Sequence, residues 1–330
     1  MDFHISLTSA LRFLRALKPS AIHASSEEVT SHLRRSFCDF QREYVNYSFQ
    51  CARLHRHFKH EFKTNSSGTE GAYRDLVKFV DAGFQTLCGD HATCIRAYFL
   101  LAHRPKVAPS VGIHIMGDYD EIVNVAMISG SGQKGEDRQV KDYTVFERIV
   151  NTGLPYLDNN IPKTVKGDLE YKHGSLHLDR VKAEYRQPIT DSWLISRFRG
   201  NILRSVAKDK RWPQFWKGEQ HSSGHKSNLA VPITFRQHAE RNRLMGDLVE
   251  VLNLPDDGRS ILGFLLIDHP ATYYFDDAPA DSFENLDVNI LYLYADTLSL
   301  PIVTYLTYTK GSDTVRDYEA RNGGGDKCQH

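Results

Sequence analysis

Two short apolar runs followed by a longer one mark the last third of the chain. The short runs, KSNLAVPITF (226–235) and ILGFLLIDHPATYYFDD (261–277), are dense in β-branched and aromatic residues and bounded by Pro, Gly and Asp. Runs of this length and composition are typical of strands. The third run, from Asn285 to Leu306, repeats apolar residues at helical spacing. The pattern therefore predicts two strands and a closing helix.

A long helix is predicted near the start of the chain. Ser25 and Ser26 precede two glutamates, which is typical of a helix start because hydroxyl groups cap free amides and acidic groups favour the positive end of the helix dipole. Apolar residues then recur at alternating spacings of four and three, which predicts a continuous seam. The seam residues are Leu33, Phe37, Phe40, Tyr44, Tyr47, Cys51, Leu54 and Phe58. Its partner is either the same helix of a second copy or the closing helix of the same chain.

A polar segment, KTNSSGTEG (63–71), predicts a hinge after this helix. Helical spacing resumes from Glu70 to Leu87. Strand patterns are then predicted at Thr93–Ala102 and Glu121–Ser129. The loop between these two strand patterns carries VGIHIMG (111–117), a candidate for an added strand.

The order of these elements resembles the GAF domain, a small-molecule sensing module. The resemblance is carried by YRDLVKFVDAGFQTLCGDHATCIRAYFLLA, DEIVNVAMISG and YTVFERIVNTGLPYLDNNIPK, and then by the VPI strand, the GFL strand and the closing helix. It spans Tyr73 to Leu306. The resemblance implies an α/β (α+β) fold in which a GAF/PAS-like antiparallel sheet is flanked by helices, here with a long N-terminal helix. It also implies a ligand pocket on one face of the sheet.

The same resemblance predicts how the chain is divided. An N-terminal helical arm (1–69) precedes a GAF-like domain (70–309), and a polar, Gly-rich tail (310–330) is expected to be disordered. The domain is interrupted by an insertion (163–226) that holds all three tryptophans. Because the family's connection at this point lies over the pocket, we expect the insertion to form an aromatic lid. A second insertion (236–259) stands where the family has a hairpin turn.

Several polar residues are candidate ligand contacts. Arg96 and Asn124 lie inside strand patterns, where a buried charge or amide needs a partner, although a neighbouring side chain or an exposed edge would also satisfy each of them. The segment PYLDNNIP matches the family's pocket-edge strand, which implies contacts from Asp158, Asn159 and Asn160. The alternative for that segment is a turn held by Asn and Asp side chains.

Aromatic residues complete the predicted pocket. Phe146 and Tyr156 would offer stacking surfaces to a planar ligand, or are ordinary core residues. The insertion would contribute Tyr171, Trp193 and Trp212 from the lid.

Charge and motifs restrict the class of function. Lys+Arg and Asp+Glu both number 41, which disfavours a strongly basic nucleic-acid binder, although basic and aromatic residues interleave in the insertion. No apolar run reaches the ~20 residues of a membrane span, and the cysteines form no CxxC pair, so a cytoplasmic protein without a membrane partner is predicted. The chain contains no Gly-rich phosphate loop, GxSxG or HExxH motif. No catalytic residue, metal ligand or cofactor is therefore assigned.

The leading hypothesis is a non-enzymatic sensor that binds a small molecule and passes its occupancy to the N-terminal helix. That helix would then pair with a second copy, giving a homodimer, or act on a partner protein. One rival is a ligand-free GAF-like dimerisation or scaffold protein. Another is a GAF-type enzyme such as a methionine sulfoxide reductase, which would use cysteines around the pocket. The domain offers only Cys88 and Cys94, placed before and within the first predicted strand, and this departure weighs against the enzyme.

Overall fold

A computed structural model of the chain describes residues 26–117, 121–128, 138–161, 163–164, 168, 170–172, 225–236 and 259–322. The predicted contacts Trp193 and Trp212 lie outside these residues, as do most of the first insertion and nearly all of the second.

Two long helices open the described chain. Helix α1 (Ser26–Thr64) and helix α2 (Thr69–His103) are joined by a short turn, in which Asn65 has a positive φ of 51°. The helix start and the hinge predicted from the sequence are both confirmed. Because the connection is short and the helices pack on each other, they form an αα-hairpin.

Helix α2 is longer than expected, and the strand predicted at Thr93–Ala102 is wrong. The buried residues of this segment, which include Ile95, Tyr98 and Ala102, continue the three- and four-residue spacing of the preceding turns. This periodicity outweighs the aromatic and β-branched content that suggested a strand. Arg96 consequently lies on a helix, where its Nε donates a hydrogen bond of 3.0 Å to the carbonyl oxygen of Pro109.

Six antiparallel strands form one sheet in the order β3-β2-β1-β6-β5-β4. They are β1 (Ser110–Met116), β2 (Glu121–Ile128), β3 (Arg138–Gln139), β4 (Tyr156–Asp158), β5 (Ser227–Arg236) and β6 (Arg259–His269). The candidate added strand is β1, which pairs with both β2 and β6 and so lies inside the sheet. The fold class predicted from the sequence, an antiparallel sheet flanked by helices with a long N-terminal helix, is confirmed.

Strands β1 and β6 approach closely at Gly263, which pairs with Ile115. A Cβ atom on Gly263 would overlap the carbonyl oxygen of His114. The strand pairing therefore requires a residue without a side chain at this point.

Three further α-helices are α3 (Thr144–Thr152), α4 (Leu286–Leu306) and α5 (Asp313–Asn322); a short 3-10 helix (Val140–Asp142) precedes α3, and a π-helical segment (Thr307–Gly311) lies between α4 and α5. The start of α4 is capped by Asn285, whose side chain accepts a hydrogen bond of 3.0 Å from the Val288 amide. Helix α5 corrects the expectation of a disordered tail (310–330) for its first part, while residues 323–330 lie outside the described residues. Its Val315 is fully buried and the ring centre of Tyr318 lies 4.4 Å from that of Tyr73, so α5 has apolar contacts that its polar composition concealed.

One helical run, Leu286–Asn322, is long and apolar enough to cross a membrane by length and composition alone. It contains α4, which packs against β5, α2 and α1. Tyr294, Leu298 and Ile302 of α4 are fully buried inside the protein. Its apolar character is that of a helix at the centre of a core.

The two faces of the sheet have different surroundings. Helices α1, α2 and α4 cover the first face, where Ile113, Val231 and Leu265 are fully buried in one continuous core with helix residues such as Leu76 and Leu298. Helix α3 lies against the second face. The main core is therefore between the sheet and the long helices.

The apolar seam predicted on α1 is buried within the chain. Of its eight residues, Leu33, Phe37, Phe40, Tyr47, Cys51 and Phe58 are buried and the other two pack partly against the same core. The ring centres of Phe37 and Tyr294 are 5.0 Å apart, and the Tyr47 hydroxyl donates to the Val80 carbonyl at 3.2 Å. The seam packs mainly against α2, a partner that the sequence analysis did not consider, and to a smaller extent against α4, the intramolecular partner that it did.

Candidate functional site

Three polar side chains lie side by side on the second face of the sheet. Asp158 on β4 pairs in register with Asn228 on β5, and Asn228 pairs with Asp268 on β6. Residues directly opposite one another on antiparallel strands project from the same face. We refer to Asp158, Asn228 and Asp268 as the polar row. Two of its members are almost fully enclosed, with Asp158 7% and Asn228 4% exposed.

Hydrogen bonds fix the orientation of the polar row. The Asn228 Nδ2 donates to Asp268 Oδ1 at 2.6 Å. Since an ionised carboxylate only accepts, the amide nitrogen has to face Asp268, which leaves the amide oxygen as a free acceptor. No described residue donates a hydrogen bond to this buried oxygen. Asp158 has different partners from Asp268. Its Oδ1 accepts a hydrogen bond from the backbone N–H of Asn160 at 2.8 Å, and its Oδ2 accepts one from the Tyr156 hydroxyl at 3.4 Å.

Two further side chains surround the polar row. Tyr171 is 1% exposed, and its pKa is raised by burial first and then by the negative charges of neighbouring groups, Asp158 and Asp268 among them. The His225 Nε2 lies 4.0 Å from Asp268 Oδ1. Burial, followed by the charge of Asp158, likewise raises the pKa of Tyr156. Both phenols therefore stay neutral, and the site combines two carboxylates with neutral hydrogen-bonding groups.

A small apolar cluster fills the middle of the second face. Phe146 of α3 lies with its ring centre 4.6 Å from that of Phe264 and 5.5 Å from that of His114. Ala230 and Ile149 belong to the same cluster. The centre of this face is thus occupied by α3, and the polar row lies at one end of it.

Asn159 and Asn160 hold a neighbouring loop in place. The Asn159 Nδ2 donates a hydrogen bond to the Phe275 carbonyl oxygen, and the Asn159 Oδ1 accepts one from the Phe275 backbone N–H, each at 3.1 Å. The Asn160 Nδ2 donates to the Tyr273 hydroxyl at 3.1 Å, and its Oδ1 accepts from the Lys163 amide at 3.1 Å. These contacts are the structural role that the sequence offered as the alternative to ligand contact.

The structure brings some of the predicted contacts together and separates others. Tyr156, Asp158 and Tyr171 meet at the polar row. Asn124 lies in register with His114, at the other end of the second face beyond α3, and its amide oxygen is buried with no hydrogen-bond partner among the described residues. Arg96 lies on α2, on the helical side of the sheet.

Sequence analysis missed Asn228, Asp268 and His225. The first two are polar residues inside the apolar runs that predicted β5 and β6, and the rule that selected Asn124 applies to them equally. Two-residue alternation along β5 places Asn228 on the same face as Ala230, and along β6 it places Asp268 with Leu266. This signal was present, but it needed the register between the strands to show that the residues meet.

Metal and thiol chemistry are not built into the described residues. No group of three or more His, Cys, Asp or Glu side chains is placed to hold a metal ion within the part of the chain that the structure describes. Its four cysteines, Cys38, Cys51, Cys88 and Cys94, all lie on α1 or α2. Burial raises the pKa of the Cys88 and Cys94 thiols. Neither thiol is therefore an activated nucleophile at the second face.

No protein-family model and no curated protein matches the chain. Among solved structures it is similar to the type II free methionine-R-sulfoxide reductase from Thermoplasma acidophilum, with 9% identity, coverage of 68% of this chain and 96% of that chain, and a TM-score of 0.36. It is similar to the GAF domain of Acinetobacter phosphoenolpyruvate-protein phosphotransferase, with 11% identity, coverage of 75% and 99%, and a TM-score of 0.35. For the A. aeolicus nlh2 GAF domain in an inactive state, the identity is 9%, the coverage 68% and 96%, and the TM-score 0.30. These neighbours include GAF domains, the family that the sequence resembles, and the likeness concerns the fold alone.

Proposed function

We propose that the protein is a non-enzymatic receptor that binds a small molecule against the polar row on the second face of the sheet. The observation that carries the proposal is the Asn228 amide oxygen, which is buried without a donor among the described residues. An unmet buried acceptor costs about 1–3 kcal/mol. A bound molecule that donates a hydrogen bond to this oxygen would recover that free energy.

The strands offer a direct route from the polar row to the long helices. On β5, Asn228 and Ala230 face the second side, while Leu229 and Val231 are fully buried in the core beneath the helices. Displacing β5 on one side therefore changes packing on the other. A ligand shifts such an equilibrium only if it favours one packing over another, so the proposal requires that ligand binding alters the contacts of α4 or α1.

Which molecule responds to ligand binding, a second copy or a partner protein, stays a prediction. The α1 seam is occupied within the chain, so a homodimer through that seam would first have to displace α2 and α4. A partner protein, or a second copy bound through another surface, is compatible with this packing. The cytoplasmic location stays a prediction as well.

A ligand-free scaffold is the second candidate function, and the packing of α3 favours it. Phe146 and Phe264 fill the middle of the second face, where a large ligand would otherwise lie. A scaffold does not explain the unmet acceptor of Asn228. The enzyme hypothesis has less support, because the described cysteines lie on the helices that cover the first face.

Native mass spectrometry of the full chain, purified under non-denaturing conditions, tests the receptor proposal. We expect a small-molecule adduct that is reduced or lost in Asn228→Leu, because this change keeps a similar side-chain volume but removes the amide oxygen. Asn46→Leu, on the exposed surface of α1, is the matched control and should keep the adduct.

A thermal-shift screen of the same protein covers the case of a ligand lost during purification. A ligand at 100 times its Kd stabilises the folded state by about 2.7 kcal/mol, which is a readily measured rise in Tm. If the purified chain carries no adduct and no compound in a panel of amines, amino acids, organic acids and nucleotides raises its Tm, the receptor proposal is wrong and the scaffold is favoured.

A further inference from the structure

The polar row carries negative charge with little compensation. Asp158 and Asp268 are both acidic, and among the described residues the only basic side chain within 4.0 Å of either carboxylate is His225, whose Nε2 lies 4.0 Å from Asp268 Oδ1. No lysine or arginine within the described ranges forms an ion pair with either carboxylate. Arg148 approaches this end of the sheet, but its guanidinium lies 5.7 Å from the Tyr156 ring centre and pairs with Asp168 at 3.1 Å.

Every hydrogen-bonding position left open in the polar row is an acceptor. Asn228 uses its amide nitrogen on Asp268 and offers only its oxygen. The two ionised carboxylates have no donors to offer. The neutral phenols of Tyr156 and Tyr171 lie beside the polar row, where their rings add apolar surface.

We propose that the ligand of this site is an organic cation, in which a primary ammonium or guanidinium group contacts the polar row and an apolar or aromatic body lies against Tyr156 and Tyr171. This inference rests on the proposed function and adds the chemical class of the ligand. Burying a carboxylate without a counter-charge costs several kcal/mol, and a bound cation offsets that cost. An ammonium or guanidinium group carries only donors, which matches a site whose open positions are only acceptors.

Three compounds with the same ring but different charge test the inference by isothermal titration calorimetry on the full chain. Tyramine carries a primary ammonium, tyrosol replaces it with a hydroxyl, and 4-hydroxyphenylacetate carries a carboxylate. Because only tyramine can form an ion pair with the carboxylates of the polar row, we expect it to bind at least about tenfold more tightly than tyrosol, which corresponds to about 1.4 kcal/mol. The carboxylate compound should bind most weakly of the three.

Charge-removing variants provide the second arm of the experiment. Asp158→Asn and Asp268→Asn keep the side-chain shape but remove one negative charge each, and each should weaken tyramine binding by at least about tenfold while changing tyrosol binding little. Asp75→Asn, at an exposed position on α2, should change neither. If a variant fails to fold, the comparison of the three compounds on the unmodified chain still decides the question.

Several results would overturn the cation proposal. Tyrosol or 4-hydroxyphenylacetate binding as tightly as tyramine would do so, and so would the absence of tyramine binding at millimolar concentration. Unchanged tyramine affinity in both charge-removing variants would do so too. The proposed function is tested separately from the charge of the ligand. If a neutral or anionic compound binds the unmodified chain and does not bind Asn228→Leu, the protein is still a receptor but its ligand is not a cation.

Discussion

The two faces of the sheet use the same strands in opposite ways. The first face contributes fully buried aliphatic residues such as Leu229, Leu265 and Ile267 to a core that three long helices cover. The second face combines a small aromatic cluster with acidic and amide side chains, and the amide oxygens of Asn124 and Asn228 are buried there without a donor among the described residues. Alternation along each strand makes this division possible. Stability is therefore concentrated on one face, and the other face is left free to carry polar groups that a folding core would exclude.

The largest expected effect contrasts two neighbouring leucines on β6. Leu265 is fully buried on the first face, whereas Leu266 is partly buried on the second. We expect Leu265→Ala to lower the free energy of unfolding by about 4 kcal/mol, and Leu266→Ala by about half as much, because the larger cavity forms where packing is tighter. Urea denaturation of both variants measures the difference. Equal losses would show that the two faces contribute equally to stability.

The second-largest effect is expected at Gly263, where β1 and β6 approach closely. Gly263→Ala introduces a Cβ that meets the His114 carbonyl oxygen, so β1 and β6 must move apart, at a cost of about 3 kcal/mol. The control is Gly89→Ala on α2, where a Cβ meets no atom within 4 Å. That change should stabilise the protein by up to about 1 kcal/mol, since alanine is the better helix former. Similar thermal stability of the two variants would contradict the close approach of the strands.

The helical layer over the first face should be sensitive to acid through His91. Burial lowers the pKa of His91 to about 4, although its hydrogen bond to the Tyr294 carbonyl opposes the shift. In the unfolded chain the histidine has its ordinary pKa of about 6.5 and therefore binds a proton at a higher pH than in the folded protein. The free energy of unfolding should consequently fall as the pH drops from about 6.5 to about 4, by up to about 3 kcal/mol.

Urea denaturation at several pH values measures this dependence. The His91→Gln variant should lose the corresponding part of the slope, because glutamine does not titrate. Asn46→Gln, at an exposed position on α1, exchanges one amide that does not titrate for another and should leave the slope unchanged. A slope that persists in His91→Gln would assign the acid sensitivity to other groups.

The smallest of these effects concerns the loop beside the polar row. Asn159→Ala removes the hydrogen bonds to Phe275 and should lower the free energy of unfolding by about 2 kcal/mol. Hydrogen exchange of the Phe275 amide should accelerate while that of the Leu265 amide changes little. Asn46→Ala on exposed α1 is the control, with an expected change within about 0.5 kcal/mol. Faster exchange throughout the sheet would show that the two faces are not independent.

Most of the fold was predictable because its elements have clear periods. The seam of α1, the strands β5 and β6, and the helix α4 each repeat apolar residues at a spacing that only one kind of element satisfies. The strand predicted at Thr93–Ala102 is wrong because its aromatic and β-branched residues favour a strand by type, whereas Ile95, Tyr98 and Ala102 are buried at helical spacing. Helix α5 was missed because its stability comes from burying Val315 and Tyr318 against distant residues, which composition does not reveal.

The candidate site was less predictable than the fold. Asp158 and Tyr156 lie in a short segment whose resemblance to a pocket edge could be seen in the sequence. Asn228 and Asp268 join them only through the register of three strands, and their hydrogen bond links residues that are 40 positions apart. Local patterns carry no information about which of several polar strand residues will meet, so they do not distinguish Asn228 from Arg96 and Asn124.

The occupied seam of α1 has a consequence for how this protein can be divided. Truncation at Thr69, where a minimal GAF-like domain would begin by sequence, would remove Tyr47 and Phe37, which contact Val80 of α2 and Tyr294 of α4. Large apolar patches exposed in this way promote aggregation. The arm and the sheet therefore belong to one cooperative folding unit, and we expect any isolated fragment without residues 26–64 to be insoluble.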